Sequence, residues 1–437
     1  MLTNRTAPAR ATSSRLANLV PALMGSLVLL GGLVGCNSND DNNNEDPPMD
    51  TGPGSTLNGI VTDGAADSIV ALPASVDDRI EAVFARYTQF TAPNGSRIHF
   101  LSQAGVSDDL LIRTRGLVRQ HLFDVPGTTL GADKSAAVNR ASARSATFVL
   151  YENAASYDDL DADVIAFKAM FGDRLGDLDA STIVQEGSSS YAQPSPAFDP
   201  SIGATARFAL EQGISGGIPA FQTALDAATT NAVTMSIYTP NGSTPAAEID
   251  DEYLALALAT YYGLFGHDPN GNGTSGLSQE YAVLDRADMQ TADPMMFALI
   301  EDFFRPNHRY SAFLDTTFAG EFEMAFDIAI PYTYRSQYLE RVGIRNPATT
   351  RINGNDLNNI FLGNTLGSTF EGKGGDDVID AQAGTDIAIM SGPRAEYTIT
   401  NLGNNVFEVA DSVGGRDGTD QLRAITQVMF TDMTITL

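Results

Sequence analysis

The chain has 437 residues, enough for two or three domains with cores of their own. Its 26 Lys and Arg stand against 54 Asp and Glu, a formal net charge of -28, which argues against nucleic acid as a partner because phosphate would be repelled, and makes cations the better expectation. With 43% hydrophobic residues the acidity decorates folded domains, and a single cysteine, Cys36, rules out an intramolecular disulfide and any all-cysteine metal site.

In chain order, Arg5, Arg10 and Arg15 precede the apolar run LANLVPALMGSLVLLGGLVG, which ends on LVGC. A basic start, an apolar run and small residues before a break describe a processed export signal over residues 1–35. A single transmembrane anchor is the other reading of the 20 uncharged residues 16–35, weakened by Pro21 and four glycines. The segment resembles a bacterial lipoprotein signal, with LVGC matching the lipobox. That resemblance implies that Cys36 is lipidated and becomes the mature N-terminus. Loss of residues 1–35 removes three arginines and no acid, so -28 becomes -31. Residues 36–56, rich in Asn, Asp, Pro and Gly, read as a disordered acidic tether spanning on the order of 25 Å. Asn37 beside the cysteine weakly favours the outer membrane or cell surface over the inner membrane.

Residues 57–345 read as an α+β central domain, mostly helical in its second half. Ser75 is placed to cap VDDRIEAVFARYTQF, with Ile80, Val83, Phe84 and Tyr87 on one face, and Ser107 to cap DDLLIRTRGLVRQHLF. Strands are expected at RIHFL (97–101), ATFVLYE (146–152), STIVQE (181–186) and FEMAFDIAI (322–330). Three helices with wide apolar faces are expected in IPAFQTALDAATTNAV, DEYLALALATYYGLFG and MMFALIEDFF.

The four histidines, His99, His121, His267 and His308, stand apart, and no HExxH, GxSxG or phosphate-binding loop occurs. The helix EYLALALATYYGLFGH resembles the second metal-ligand helix of lethal-factor-like zinc peptidases, which would make Glu252 a ligand. The preceding segments carry no histidine pair, so the resemblance implies a degenerate fold without zinc hydrolysis. In DPNGNGTSGLSQE, Asp268, Asn270, Asn272 and Gly273 match positions 1, 3, 5 and 6 of an EF-hand-type loop, but position 12 is Gln279; a polar turn is the competing reading.

From Gly354 the chain falls into rows of nine: GNDLNNIFL, GNTLGSTFE, GKGGDDVID and AQAGTDIAI. Column one is glycine or alanine, column six an oxygen-bearing residue (Asn359, Ser368, Asp377, Asp386), and column eight apolar (Phe361, Phe370, Ile379, Ala388). The rows resemble the repeat-in-toxin, or haemolysin-type, calcium-binding repeat. This implies a short parallel β-roll over 351–390, with turns on one side eighteen residues apart and calcium between them. Asn359 then pairs with Asp377 and Ser368 with Asp386, while Asp356 and Asp376 lie close by. With one column-six carboxylate per pair, binding in the roughly 10⁻⁴ to 10⁻³ M range of extracellular modules is expected. Asp356, Asp376, Asp377, Asp380 and Asp386 crowd two windings with Lys373 to offset them, so calcium is expected to fold residues 351–437 separately from the rest.

Two windings need a cap. Residues 391–437 alternate in YTITN, NVFEVAD and VMFTDMTI, which signals antiparallel strands. They also resemble, through SGPRAEYTI, RDGTDQL and VMFTD, a module that follows such rolls in secreted bacterial proteins. The expectation is a lipid-anchored envelope protein with a calcium-binding C-terminal module and a non-enzymatic domain for an unidentified surface or extracellular ligand. Its rival is a secreted or surface hydrolase of the zinc-peptidase kind. Cys36→Ser should release the protein from membranes or block its maturation, as read by fractionation and the mass of the mature chain. A Ser variant that stays membrane-bound with residues 16–35 intact would establish the transmembrane anchor instead.

Overall fold

Residues 53–157, 161–193, 199–264, 280–345, 348 and 350–437 are described by the computed structural model, and all fall in the unit Pro47–Leu437. Cys36 and the apolar run before it, His267, Asp268, Asn270 and Asn272 lie outside the described residues. Among the described residues no helix is long and apolar enough to cross a membrane.

The first half is built on a sheet of β1 (Val70–Ala71), β2 (Arg86–Thr91), β3 (Arg97–Ser102), β4 (Thr147–Tyr151) and β5 (Leu175–Asp179), adjacent in chain order. The first three are antiparallel; β3, β4 and β5 run parallel. Between them lie α1 (Asp78–Glu81), α2 (Asp108–Leu122), α3 (Ser135–Ala143) and α4 (Ala162–Phe171). Ser107 caps α2 by accepting the Leu110 amide at 3.3 Å, and Leu111, Leu117, Val118 and Leu122 on its inner face are buried.

Two expectations fail here for one physical reason. The long helix after Ser75 is a four-residue α1 capped by Asp77, after which the chain enters β2. The apolar positions Ile80, Phe84 and Tyr87 are buried as their spacing required. However, Arg86 to Thr91 finds a complete set of partners on β3, across a turn in which Gly95 takes a φ of 83°. Strand pairing along the whole of β2 outweighs a local helical period. Likewise STIVQE is not a strand; the strand is LGDLD just before it, and the Asp179 carboxylate turns the chain by accepting the Ser181 amide at 2.8 Å.

The helical half comprises α5 (Ser201–Ala209), a π turn (Leu210–Ile214), α6 (Ser215–Gly217), α7 (Pro219–Thr234), α8 (Ile249–Tyr261), α9 (Arg286–Ala292) and α10 (Pro294–Phe303). Proline opens α7 and α10, where its missing N–H costs nothing. Phe221 of α7 meets Phe303 of α10 with ring centroids 4.1 Å apart.

Two further sheets follow, and the chain passes from one to the other strand by strand. The strands are β6 (Ala312–Leu314), β7 (Gly320–Glu323), β8 (Arg341–Ile344), β9 (Thr350–Asn353), β10 (Ile360–Leu362), β11 (Thr369–Glu371), β12 (Val378–Asp380) and β13 (Ile387–Ile389). After them come β14 (Tyr397–Gly403), β15 (Val406–Asp411), β16 (Thr419–Arg423), β17 (Gln427–Met429) and β18 (Thr434–Thr436), while α11 (Thr333–Ser336) precedes β8. One sheet has the order β14-β15-β16-β12-β10-β8-β6, the other β18-β17-β13-β11-β9-β7. Strands from β6 to β13 pair in parallel, as do β16 on β12 and β17 on β13. The pairs Ile360↔Val378 and Thr369↔Ile387 give an offset of 378 − 360 = 387 − 369 = 18 residues. Phe361, Phe370, Ile379 and Ala388, one from each row, are buried, and the rings of Phe361 and Phe370 stack 6.1 Å apart at 17°.

The parallel stack runs past both ends of the 351–390 span. β6 to β8 precede it and share its sheets, so of the expected strand 322–330 only its first residues belong to β7; beyond, Phe326 and Ile328 are exposed. One cluster of buried apolar side chains runs from Phe100 and Phe148 through Phe221 and Tyr253 to Phe361, Ile379 and Leu422.

A buried ionic network joins the helices to the stack. Arg113 of α2 donates to both Glu186 oxygens at 3.2 and 3.3 Å, to Asp199 at 2.7 Å and to Ser201 at the start of α5 at 2.5 Å. Tyr310, two residues before β6, donates to Glu186 at 2.7 Å. Arg113, Glu186 and Asp199 are each at most 3% exposed, so removing Arg113 breaks their hydrogen bonds away from water and leaves the two carboxylates with Arg335 as the remaining buried cation beside them. Arg113→Ala should therefore lower unfolding free energy by about 3–5 kcal/mol, measured by denaturant titration.

Candidate functional site

Three turns stack at one end of the two sheets: 354–359, 372–377 and 415–420. A ladder of side-chain oxygens links them. Asp377 Oδ1 accepts the backbone amide of Asn359 at 2.7 Å, and Asp420 Oδ1 accepts that of Asp377 at 3.0 Å. One column earlier the direction reverses: Asn358 Oδ1 accepts the Asp376 amide at 3.0 Å, and Asp376 Oδ1 that of Thr419 at 2.8 Å. At the opposite end, Asp386 Oδ1 accepts the Ser368 amide at 2.7 Å. Glycine is obligatory where turns approach. A Cβ on Gly375 would lie 2.6 Å from the Leu357 carbonyl oxygen and one on Gly418 2.1 Å from that of Gly375, and both residues have positive φ, 102° and 74°.

The sequence-predicted ligands thus divide. Asn359, Ser368, Asp377 and Asp386 are buried in the turns, and each expected pair is joined by a backbone hydrogen bond; Asp356 and Asp376 are exposed at the rim. Asn359 uses its Oδ1 on the Asn355 amide at 3.0 Å, closing its own turn. Lys373 does not offset the stacked acids; it pairs with Glu323 at 2.5 Å. Asp377 Oδ2, Asp386 Oδ2, Asp417 Oδ1 and Ser368 Oγ are buried with no hydrogen-bond partner.

Burial raises the Asp377 carboxyl to about 7, against the Asn359 amide and with repulsion from Asp376 and Asp417. Asp386 is raised to about 6 by burial, and Asp420 to about 9 by burial and by Asp377. Among the described residues no three of His, Cys, Asp and Glu converge closely enough to hold a metal alone. An ion here needs backbone oxygens, such as those of Leu357, Gly372 and Gly375 that face the neighbouring turns. Hard oxygen donors with unmatched negative charge fit calcium better than zinc.

Asp417 and Asp420 are not among the residues expected from the sequence, where RDGTDQL belongs to the resemblance to a capping module. Residues 415–423, GRDGTDQLR, repeat the row pattern: Gly418 in column four, Asp420 in column six, Leu422 in column eight. Ile379↔Leu422 pairing places them as a further row on top of GKGGDDVID. The signal was legible, but residues 390–414 interrupt the period.

Elsewhere, Glu252 Oε2 accepts hydroxyls from Thr244 at 2.7 Å and Tyr238 at 3.1 Å. His99, His121 and His308 are buried on separate elements, bonded to Tyr87, Thr205 and Gln120. Burial lowers His99 and His121 to about 3, so His121, in the last turn of α2, is neutral. Glu211 in the π turn and Asp251 in α8 form a hydrogen-bonded acid pair, flanked by Asp250, Glu248 and Arg207.

No family model matches the chain, and no curated protein does. Among solved structures, an extracellular lipase from Serratia marcescens is similar over 22% of this chain and 20% of its own, at 16% identity and a TM-score of 0.12. The match spans a fifth of the lipase, and at that score it carries no argument about fold or activity.

The acid pair fixes a pH dependence. Burial, then Glu211 and Asp250, raise Asp251 from 3.8 to about 7, while Arg207 opposes them. Its contribution to stability is therefore fully present below about pH 4 and is lost as pH rises through 7. Asp251→Asn should raise stability at pH 8 by on the order of 1–3 kcal/mol and leave it unchanged at pH 4, read by thermal unfolding at the two pH values.

Proposed function

We propose that the alternating strands are windings of a parallel β-roll of the repeat-in-toxin kind, and that calcium binds in its turns. The protein is then a lipid-anchored component of the cell envelope, exposed on the outer membrane or cell surface. One observation carries this reading: the buried, partnerless carboxylate oxygens of Asp377 and Asp386, aligned on the ladder that joins windings eighteen residues apart. Such oxygens are costly unless a cation meets them. Asp377 and the carbonyls of its turn would hold one ion, and Asp386 with Ser368 another; calcium would supply charge neutralisation and a crosslink between windings.

The lipid anchor rests on LVGC and the polar break after Cys36. For the α+β part we propose a binding role without catalysis, toward a surface or extracellular ligand. The hydroxyls of Tyr238 and Thr244 occupy the Glu252 oxygen that a zinc reading would need, and each described histidine serves a buried hydrogen bond.

Full-length protein should unfold at higher temperature in millimolar calcium than in chelator. The gain is about 1.4 kcal/mol per site at a tenfold excess over Kd. Asp377→Ala should move the calcium midpoint upward. Identical unfolding of the wild type in calcium and in chelator would remove the ion from the account and leave apolar stacking alone.

A further inference from the structure

The outer edge of β14 is an interaction surface, and we propose that its occupant is β14 of a second copy of this chain, paired antiparallel about a two-fold axis at Thr400. The hydrogen bonds of the hairpin show which backbone groups are free. Ser412 donates its amide to the Glu396 carbonyl at 2.9 Å, so residues 396 and 412 form a bonded pair of the antiparallel ladder. Facing residues alternate between bonded and unbonded pairs, which makes Thr398↔Ala410 and Thr400↔Glu408 bonded pairs as well. On the other side of β15, Asp411 gives its amide to the Gly418 carbonyl at 2.8 Å and the Asn405 carbonyl accepts from Ala424 at 3.0 Å, as that alternation requires. The backbone groups of Tyr397, Ile399 and Asn401 therefore point away from β15. Tyr397 is closed off, because its amide bonds the Arg394 carbonyl and its carbonyl accepts the Arg394 guanidinium at 2.7 Å. A register shift between Asn401 and Gly403 ends the regular edge on the other side. Among the described residues only β15 pairs with β14, so Ile399 and Asn401 keep an open edge centred on Thr400.

The other sheet edges are guarded. β1 has two residues, β6 and β18 have three each, β7 carries Glu321 and Glu323, and β5 carries Asp177 and Asp179. β14 has seven residues, YTITNLG, with neither a charge nor a proline, in a chain of net charge -28. A long uncharged edge is a template for another strand, and here like-charge repulsion does not oppose a second copy. The edge also complements itself. About a two-fold axis at Thr400, Ile399 faces Asn401 of the second copy, and both N–H and both C=O groups of each open edge find partners. Thr400 meets its own counterpart in the close, unbonded pair, where two threonines are favourable neighbours, and Thr398 faces Leu402, so no acid opposes an acid. On the inner face the row Val409, Ile399 continues into Asn401 and Phe407 of the second copy. A longer foreign strand would set its flanking groups against the Arg394 closure and the register shift, whereas β14 brings an opening of the same length. The contact is short, which sets a weak, concentration-dependent dimer.

The test uses full-length protein in detergent and millimolar calcium. Light scattering should show the protein mass rising with concentration from one copy toward two. Thr400→Lys, at an exposed position, sets like charges opposite each other and should hold the chain at one copy throughout while its unfolding temperature stays that of wild type. In a Cys36→Ser background, Thr400→Cys should oxidise to a disulfide-linked dimer on a non-reducing gel, because facing residues of an unbonded pair lie within disulfide reach. Thr398→Cys, which faces Leu402 and not itself, should crosslink at least severalfold less. Wild type that stays a single copy at every concentration overturns the proposal, as does equal crosslinking at positions 398 and 400. A single-copy wild type whose Ile399 and Asn401 amides exchange more slowly with an added peptide of residues 397–403 would give the edge to a foreign extended strand and overturn the second copy as its occupant.

Discussion

The two C-terminal sheets depend on one contact repeated along the stack: a side-chain oxygen in one turn accepting a backbone amide of the turn stacked on it. Asp377 does this for Asn359, Asp386 for Ser368 and Asp420 for Asp377. Buried amides at a turn have no ladder partner, and a short carboxylate reaches them where a longer side chain would not fit. Asp377 and Asp386 each spend one oxygen on the amide and leave the other buried without a hydrogen-bond partner, so structural registration and an unsatisfied carboxylate oxygen come from a single side chain.

Within the four contiguous rows each apolar column-eight residue meets its counterpart eighteen residues away, so two periods of nine make one repeat of the stack. Phe361, Phe370 and Ile379 were readable as interior from spacing alone, as were the inner faces of α2, α7, α8 and α10. What could not be read was set by contacts distant in sequence. Nothing in Arg86 to Thr91 itself announces that each of its residues has a partner on β3, and the period of Ile80, Phe84 and Tyr87 is satisfied by either conformation. β6 to β9 lack the glycine and aspartate columns, and join the sheets because Phe322, Val342 and Ile352 fill the same interior. GRDGTDQLR carried the full pattern, but out of phase with the rows before it.

The Arg113 network solves a different problem. Helices over a mixed sheet and strands wound in parallel have no common geometry, yet their apolar side chains form one core. A planar cation that reaches Glu186, Asp199 and Ser201 at once admits one relative placement of α2, α5 and the segment entering β6. The apolar core supplies the attraction between these parts, and the ionic cluster supplies the orientation.

The spacing between rows also sets an order of assembly. β10 and β12 are separated by 18 residues, whereas β12 and β16 are separated by 43, since Val378 pairs with Gln421. Closing the longer loop costs about 0.8 kcal/mol more in chain entropy, and the segment must first form its own hairpin. The contiguous parallel strands are thus the early structure, a local nucleus whose exposed end presents β12 as an unpaired edge. Docking of β16 removes that edge late, so the interval between the two events is when the chain is most open to pairing with the same edge of a neighbouring copy.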